Sequence, residues 1–136
     1  MKFLVDASVL SEATKLQPDA KVVAWLADHE TQLAINPIIL GELRFGILSL
    51  PKSKRRGGLL EWLDTGVRYM AILDLDAKTG EHWAQLLADL RSKGRAMPVK
   101  DSLIAATALQ YNLPIATRNT KDFAFAKVNV VNPFLY

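Results

Sequence analysis

The sequence predicts an α/β domain built as an α/β/α sandwich, with a central, mainly parallel sheet of about five strands flanked by helices. Two observations carry this. Five short apolar runs of strand length recur along the chain, and stretches of helical period separate them. Length supplies a third: 136 residues suit one domain, taken as 1–136, whose core needs no covalent staples.

The first run, Phe3-Leu4-Val5, stops at Asp6 and continues through the polar step Ala7-Ser8 to Val9 and Leu10. A helix is expected over 19–27, with Asp19 as N-cap after Pro18 and Val22, Val23 and Leu26 on one face. Leu33-Ala34-Ile35 forms the second run, closed by Asn36-Pro37; Pro37 then opens a helix with Ile39, Leu43 and Ile47 at four-residue spacing. The polar patch from Lys52 to Gly58 reads as an exposed connection, followed by a helix over 59–67.

Ala71-Ile72-Leu73 is the third run. The helix after it spans 76–91, capped by Asp76, with Trp83, Leu86, Leu87 and Leu90 as its stripe and Arg91 and Lys93 suiting its negative end. Residues 102–109 are nearly all apolar, so this helix is expected to be buried on most of its circumference. Ile115-Ala116-Thr117 and Val128 to Val131 complete the strands, the last closed by Asn132-Pro133. Helices between successive strands call for parallel pairing, with both sheet faces covered.

Composition excludes several chemistries. Cysteine is absent, which removes disulfides, thiol catalysis and cysteine-held zinc or iron–sulfur centres. No apolar run approaches the roughly 20 residues that span a bilayer, and Met1-Lys2 precedes only three apolar residues, so a cytoplasmic protein is expected. Lysine and arginine number 17 against 14 acids, a net charge of +3 that leans mildly towards a polyanionic partner.

In a parallel sheet, ligands bind beyond the carboxyl ends of the strands, so acids placed there carry the first functional suspicion. Asp6 ends the first strand, although it would also serve as a helix N-cap. Glu42 lies at the margin of the stripe through Ile39, Leu43 and Ile47; the competing reading is a solvated residue paired with Arg44 or Arg68. Asp101 opens the most apolar helix, again a position that suits a cap. The cluster from Thr117 to Phe123 follows the fourth strand and could be a plain polar turn. Pairing of the first and fourth strands would bring all four together. Close carboxylates repel by roughly 4 kcal/mol per pair at an effective dielectric of 20, which calls for a cation. An all-oxygen donor set selects Mg²⁺, with Mn²⁺ as a substitute.

Four stretches, Phe3 to Glu12, Ile39 to Gly46, Asp101 to Ala108 and Ala116 to Phe123, resemble the PIN domains, specifically the VapC-type toxins of bacterial toxin–antitoxin pairs. The closing Val130-Val131-Asn132-Pro133 is similar as well. The resemblance implies a Mg²⁺-dependent ribonuclease, usually a homodimer, neutralised by a small VapB-like antitoxin, with RNA as substrate. Carried over by position, Asp6, Glu42 and Asp101 are the acidic triad and hold the metal, Glu42 directly or through water. Many members have Asn or Thr-Asn after the first Asp, where this chain has Ala7-Ser8; Ser8 and Thr117 are supporting residues. Asn119 stands where many members carry a fourth acid, and Asp122 is its rival.

The RNA-contact candidates are Arg118 and the cluster Lys52, Lys54, Arg55 and Arg56, with Arg91, Lys93, Arg95 and Lys100 near Asp101. His29 and His82 read as surface or packing residues, and Trp25, Trp62 and Trp83 as core or dimer contacts. A phosphoaspartyl enzyme is disfavoured because Ser8 stands where that chemistry needs a second Asp. The remaining alternative is a degenerate PIN domain that acts only as a protein-binding module.

Overall fold

The computed structural model describes residues 1–136. Strands β1 (Phe3–Val5), β2 (Leu33–Ile35), β3 (Ala71–Ile72), β4 (Ile115–Ala116) and β5 (Val130–Val131) form one sheet. Their order is β3-β2-β1-β4-β5, and every neighbouring pair is parallel. The register sets Leu4 opposite Ala34 on one side and Ile115 on the other. Leu4, Val5, Ala34, Ile35, Ile115 and Ala116 are all fully buried. Consecutive strand residues point to opposite faces, so burial of both members of each pair means that both faces are covered.

The covering elements are α1 (Ala7–Leu10), α2 (Ala20–Asp28), α3 (Pro37–Leu48), α4 (Lys54–Thr65), α5 (Ala77–Ser92) and α6 (Val99–Tyr111). α5 packs along α6, and α3 touches α1, α4 and α6. Local chemistry explains their starts. The Asp19 carboxylate accepts from the N–H groups of Lys21 and Val22, and Asp76 and Thr79 form a reciprocal capping box. α6 ends at Asn112, which takes the left-handed conformation at φ 53° that asparagine tolerates.

The N-cap role open to Asp6 is the one it takes: its carboxylate accepts from Ala7 N and starts the short helix Ala7–Leu10, with Val9 and Leu10 buried. Two expectations are corrected. Only Lys52 and Ser53 of the basic patch remain in a connection; Lys54, Arg55, Arg56, Gly57 and Gly58 are helical. The cause is the Ser53 hydroxyl, which accepts from Arg56 N at 3.1 Å and starts α4 five residues before Leu59. Asp101 is not a cap. α6 begins at Val99 after Pro98, leaving Asp101 in its first turn with its carboxylate free for other work.

Candidate acidic site

Sheet topology assembles the site. β1, β2 and β4 are adjacent and parallel, so Asp6, the start of α3 and the loop after β4 all leave the sheet at the same edge. α6 runs back towards the other end of β4, which returns its first turn, and Asp101, to that edge.

Asp6 is buried at 7% exposure and held from three sides. Oδ1 accepts from Ala7 N at 2.9 Å; Oδ2 accepts from the Ser8 hydroxyl at 3.0 Å and the Thr117 hydroxyl at 2.8 Å. The last bond ties β1 to the end of β4. Thr117 Oγ1 in turn accepts from Asn119 N at 3.0 Å, and Ser8 Oγ accepts from Arg118 N at 3.2 Å. Both supporting hydroxyls therefore lie at the site, and Asp6 is at once the cap of α1 and a fixed carboxylate.

Glu42 and Asp101 complete the acidic group. Burial, then the nearby Asp6 charge, pushes the Glu42 carboxyl above its ordinary value, and Lys100 only partly opposes this. Burial followed by the Asp122 charge raises Asp101, with Asp6 adding to it. These like charges feel one another. Asn119 lines the cavity beside Asp6 and Glu42, and the Asp122 charge acts on Asp101. Neither expected partner of Glu42 is used. Arg44 pairs instead with Asp64, and Lys100 Nζ lies 3.2 Å from Glu42 Oε2.

A divalent cation fits the donors. All are oxygen, and Glu42 Oε1 is buried with no hydrogen-bond partner. No three carboxylates or imidazoles close directly around a single point. An ion that keeps several of its waters, as Mg²⁺ does, needs only one or two direct carboxylate ligands, so the absence of a three-carboxylate cluster does not conflict with that fit.

A cavity of about 450 Å³ opens from Asp6, Glu42 and Asn119 and extends past Gly46 to Arg55 and Trp62. Arg55 is thus the one member of the basic cluster on its wall; Lys52 and Lys54 face solvent, and Arg56 is half-buried. The Arg118 guanidinium stacks 4.7 Å from the Phe134 ring, and Arg95 likewise on Phe125. His29 packs against the buried Trp25 at 4.4 Å, and Trp83 donates to Ser102 Oγ; these are packing roles, as expected.

Sequence reasoning passed over Asn36. Fully buried, it accepts from Ile39 N at 2.9 Å, capping α3, while its amide donates to Thr107 Oγ1 at 3.0 Å. It thereby fixes α3, which bears Glu42, to α6, which bears Asp101. Its placement just before Pro37 was the available signal. Glu12 was also missed: it is buried and accepts from Lys15 and from Asp19 N, bracing the turn into α2.

The model of the PIN domain matches residues 3–130 of this chain. The chain belongs to the PIN-domain family. Among curated relatives, this PIN domain is 33% identical over 135 residues to VapC ribonuclease Y4jK of Sinorhizobium fredii, covering 96% of each. Among solved structures it matches FitAcB from Neisseria gonorrhoeae at 34% identity and TM-score 0.90, covering 98% of this chain and 99% of that one. It also matches VapBC-5 of Mycobacterium tuberculosis, a member of the VapBC family of toxin-antitoxin systems. There the identity is 29% and the TM-score 0.70, with 97% and 99% of the two chains covered.

Proposed function

We propose that this PIN domain is an endoribonuclease that hydrolyses RNA phosphodiester bonds at Asp6, Glu42 and Asp101 with Mg²⁺, and that it is the toxin of a VapBC-type pair. The observation that carries this is the gathering of Asp6, Glu42, Asp101 and Asp122 at one sheet edge, with a Glu42 oxygen buried and unpaired. The ribonuclease and toxin-antitoxin relatives support the same reading.

Asp6 and Asp101 would hold the ion, which, when bound, lowers the pKa of a water and offsets charge on the phosphorane-like transition state. Asp6 comes to this task with its rotamer fixed by Ser8 and Thr117. Glu42, whose proton affinity is raised, is suited to orient the attacking water and take its proton. Asn119 can orient a water but contributes no charge. Arg55, on the wall of the adjoining cavity, and Arg118, next in the chain to Thr117, are the candidates to meet flanking phosphates, with Lys52, Lys54 and Arg56 close to Arg55 in the chain. A small VapB-like antitoxin, a homodimer of the 15.1 kDa chain and a cytoplasmic setting belong to this reading; sedimentation alone and with the antitoxin measures both assemblies.

The test is cleavage of structured RNA with Mg²⁺. Asp6→Asn and Asp101→Asn are each expected to lower the rate by about 100-fold or more, and EDTA to abolish it. Undiminished cleavage by both variants would sink the assignment. A second reading, a degenerate module that only binds protein, draws on Asn119 in the fourth position and on the lysine already seated at Glu42. It predicts a melting temperature that stays flat across millimolar Mn²⁺.

A further inference from the structure

The acidic site carries a cation of its own. Lys100 reaches from the first turn of α6 to α3, where its ammonium lies 3.2 Å from Glu42 Oε2. Helix chemistry gives no reason for a lysine there, since the positive end of a helix disfavours cations. Within the pair, Lys100 is 55% exposed and Glu42 22% exposed, so the lysine stands at the rim with room to move while the carboxylate points inward. The second carboxylate oxygen, Oε1, is buried and has no partner. The same carboxylate can serve an ammonium group or a hydrated divalent ion, but the two cations repel and compete for the space beside it.

We propose that Lys100 is a tethered counter-cation that competes with the divalent ion for Glu42, holding the carboxylate when no ion is bound and leaving it when one binds. This rests on the reading that the site takes Mg²⁺. The ammonium end of the pair stands in solvent, which screens the attraction, so a divalent ion can displace it. The lysine therefore lowers the affinity for metal while relieving repulsion among the acids of the metal-free protein. Lys100 is a positioning residue, acting on the site through Glu42.

Calorimetric titration of Mn²⁺ into the whole chain tests this. Lys100→Met is expected to bind Mn²⁺ about 5-fold more tightly than the natural chain. Lys100→Arg, which keeps the charge, should stay near the natural affinity, as should Lys21→Met, which removes an exposed charge on α2. Thermal melts supply a second readout. In EDTA, Lys100→Met should melt about 2–4 °C below the natural chain, and saturating Mn²⁺ should close most or all of that gap. A purely structural ion pair would leave the variant less stable by the same margin in both conditions, which would overturn the proposal. So would an unchanged Mn²⁺ affinity in Lys100→Met, and with the natural chain still binding Mn²⁺ the reading of the metal site would survive. Absence of Mn²⁺ binding in both proteins would overturn the two together.

Discussion

Asp6 depends on a hydroxyl 111 residues away. Thr117→Val keeps the shape of the side chain but removes a donor to Asp6 Oδ2 and the acceptor of Asn119 N–H. We expect a loss of about 1–3 kcal/mol in urea unfolding and slower cleavage, because a buried polar group is left unsatisfied. The raised carboxyls make a pH prediction. Glu42 and Asp101 hold protons more tightly in the folded chain than in the unfolded one. Between the ordinary carboxylate range and their raised values the native state binds more protons, so their contribution to stability falls as pH rises through that window. Glu12 and Asp76 are lowered, and their contribution is lost as pH falls through their folded values. Glu42→Gln should therefore melt higher than the natural chain at pH 7 without metal, a gap that narrows towards pH 4. A lower melting temperature at pH 7 would contradict this. The acids were legible because each stands at the end of an apolar run or on a helix margin. The Lys100–Glu42 and Asn36–Thr107 contacts were not, since both depend on side chains reaching between elements far apart in sequence.

α4 shows a conflict between local preference and position. Its first turn holds Lys54, Arg55 and Arg56 but no acid, and two glycines follow inside the helix. Cations at a helix N-terminus and interior glycines both weaken a helix, which is why the segment read as a connection. Ser53 was the signal for the true start. A Cβ at Gly57 would meet nothing within 4 Å, so Gly57→Ala is expected to stabilise the chain by about 0.5–1 kcal/mol. Lys54→Glu should also stabilise it, by about 0.3–1 kcal/mol, while weakening RNA binding. Opposite movement of melting temperature and RNA affinity in the one variant is the expected result; movement in the same direction would count against a role for this turn in RNA binding.

Across the whole molecule, charges separate. Asp6, Glu42, Asp101 and Asp122, four of the 14 acids, act on one another at one sheet edge, and basic side chains outnumber the acids for the net +3. RNA binding should weaken with salt, and replacing Lys54, Arg55 and Arg56 together by serine should flatten the log–log slope by about 2 if each neutralises one phosphate. An unchanged slope would remove that cluster from the binding surface. The α/β class and all five strands were legible, because parallel sheets buried on both faces require short apolar runs between helices. Strand order was not, because nothing local in Phe3-Leu4-Val5 specifies β4 as a neighbour.

That neighbour relation also governs when the site comes into being. Asp6 emerges early in synthesis, yet its partner hydroxyl at Thr117 and the acids at 101 and 122 belong to the last third of the chain. Pairing of β1 with β4 is among the most non-local contacts in the fold and is correspondingly slow to form. A nascent chain still lacking β4 holds Asp6 without the Thr117 bond that fixes it, so the proposed site is not assembled until most of the polypeptide has been made.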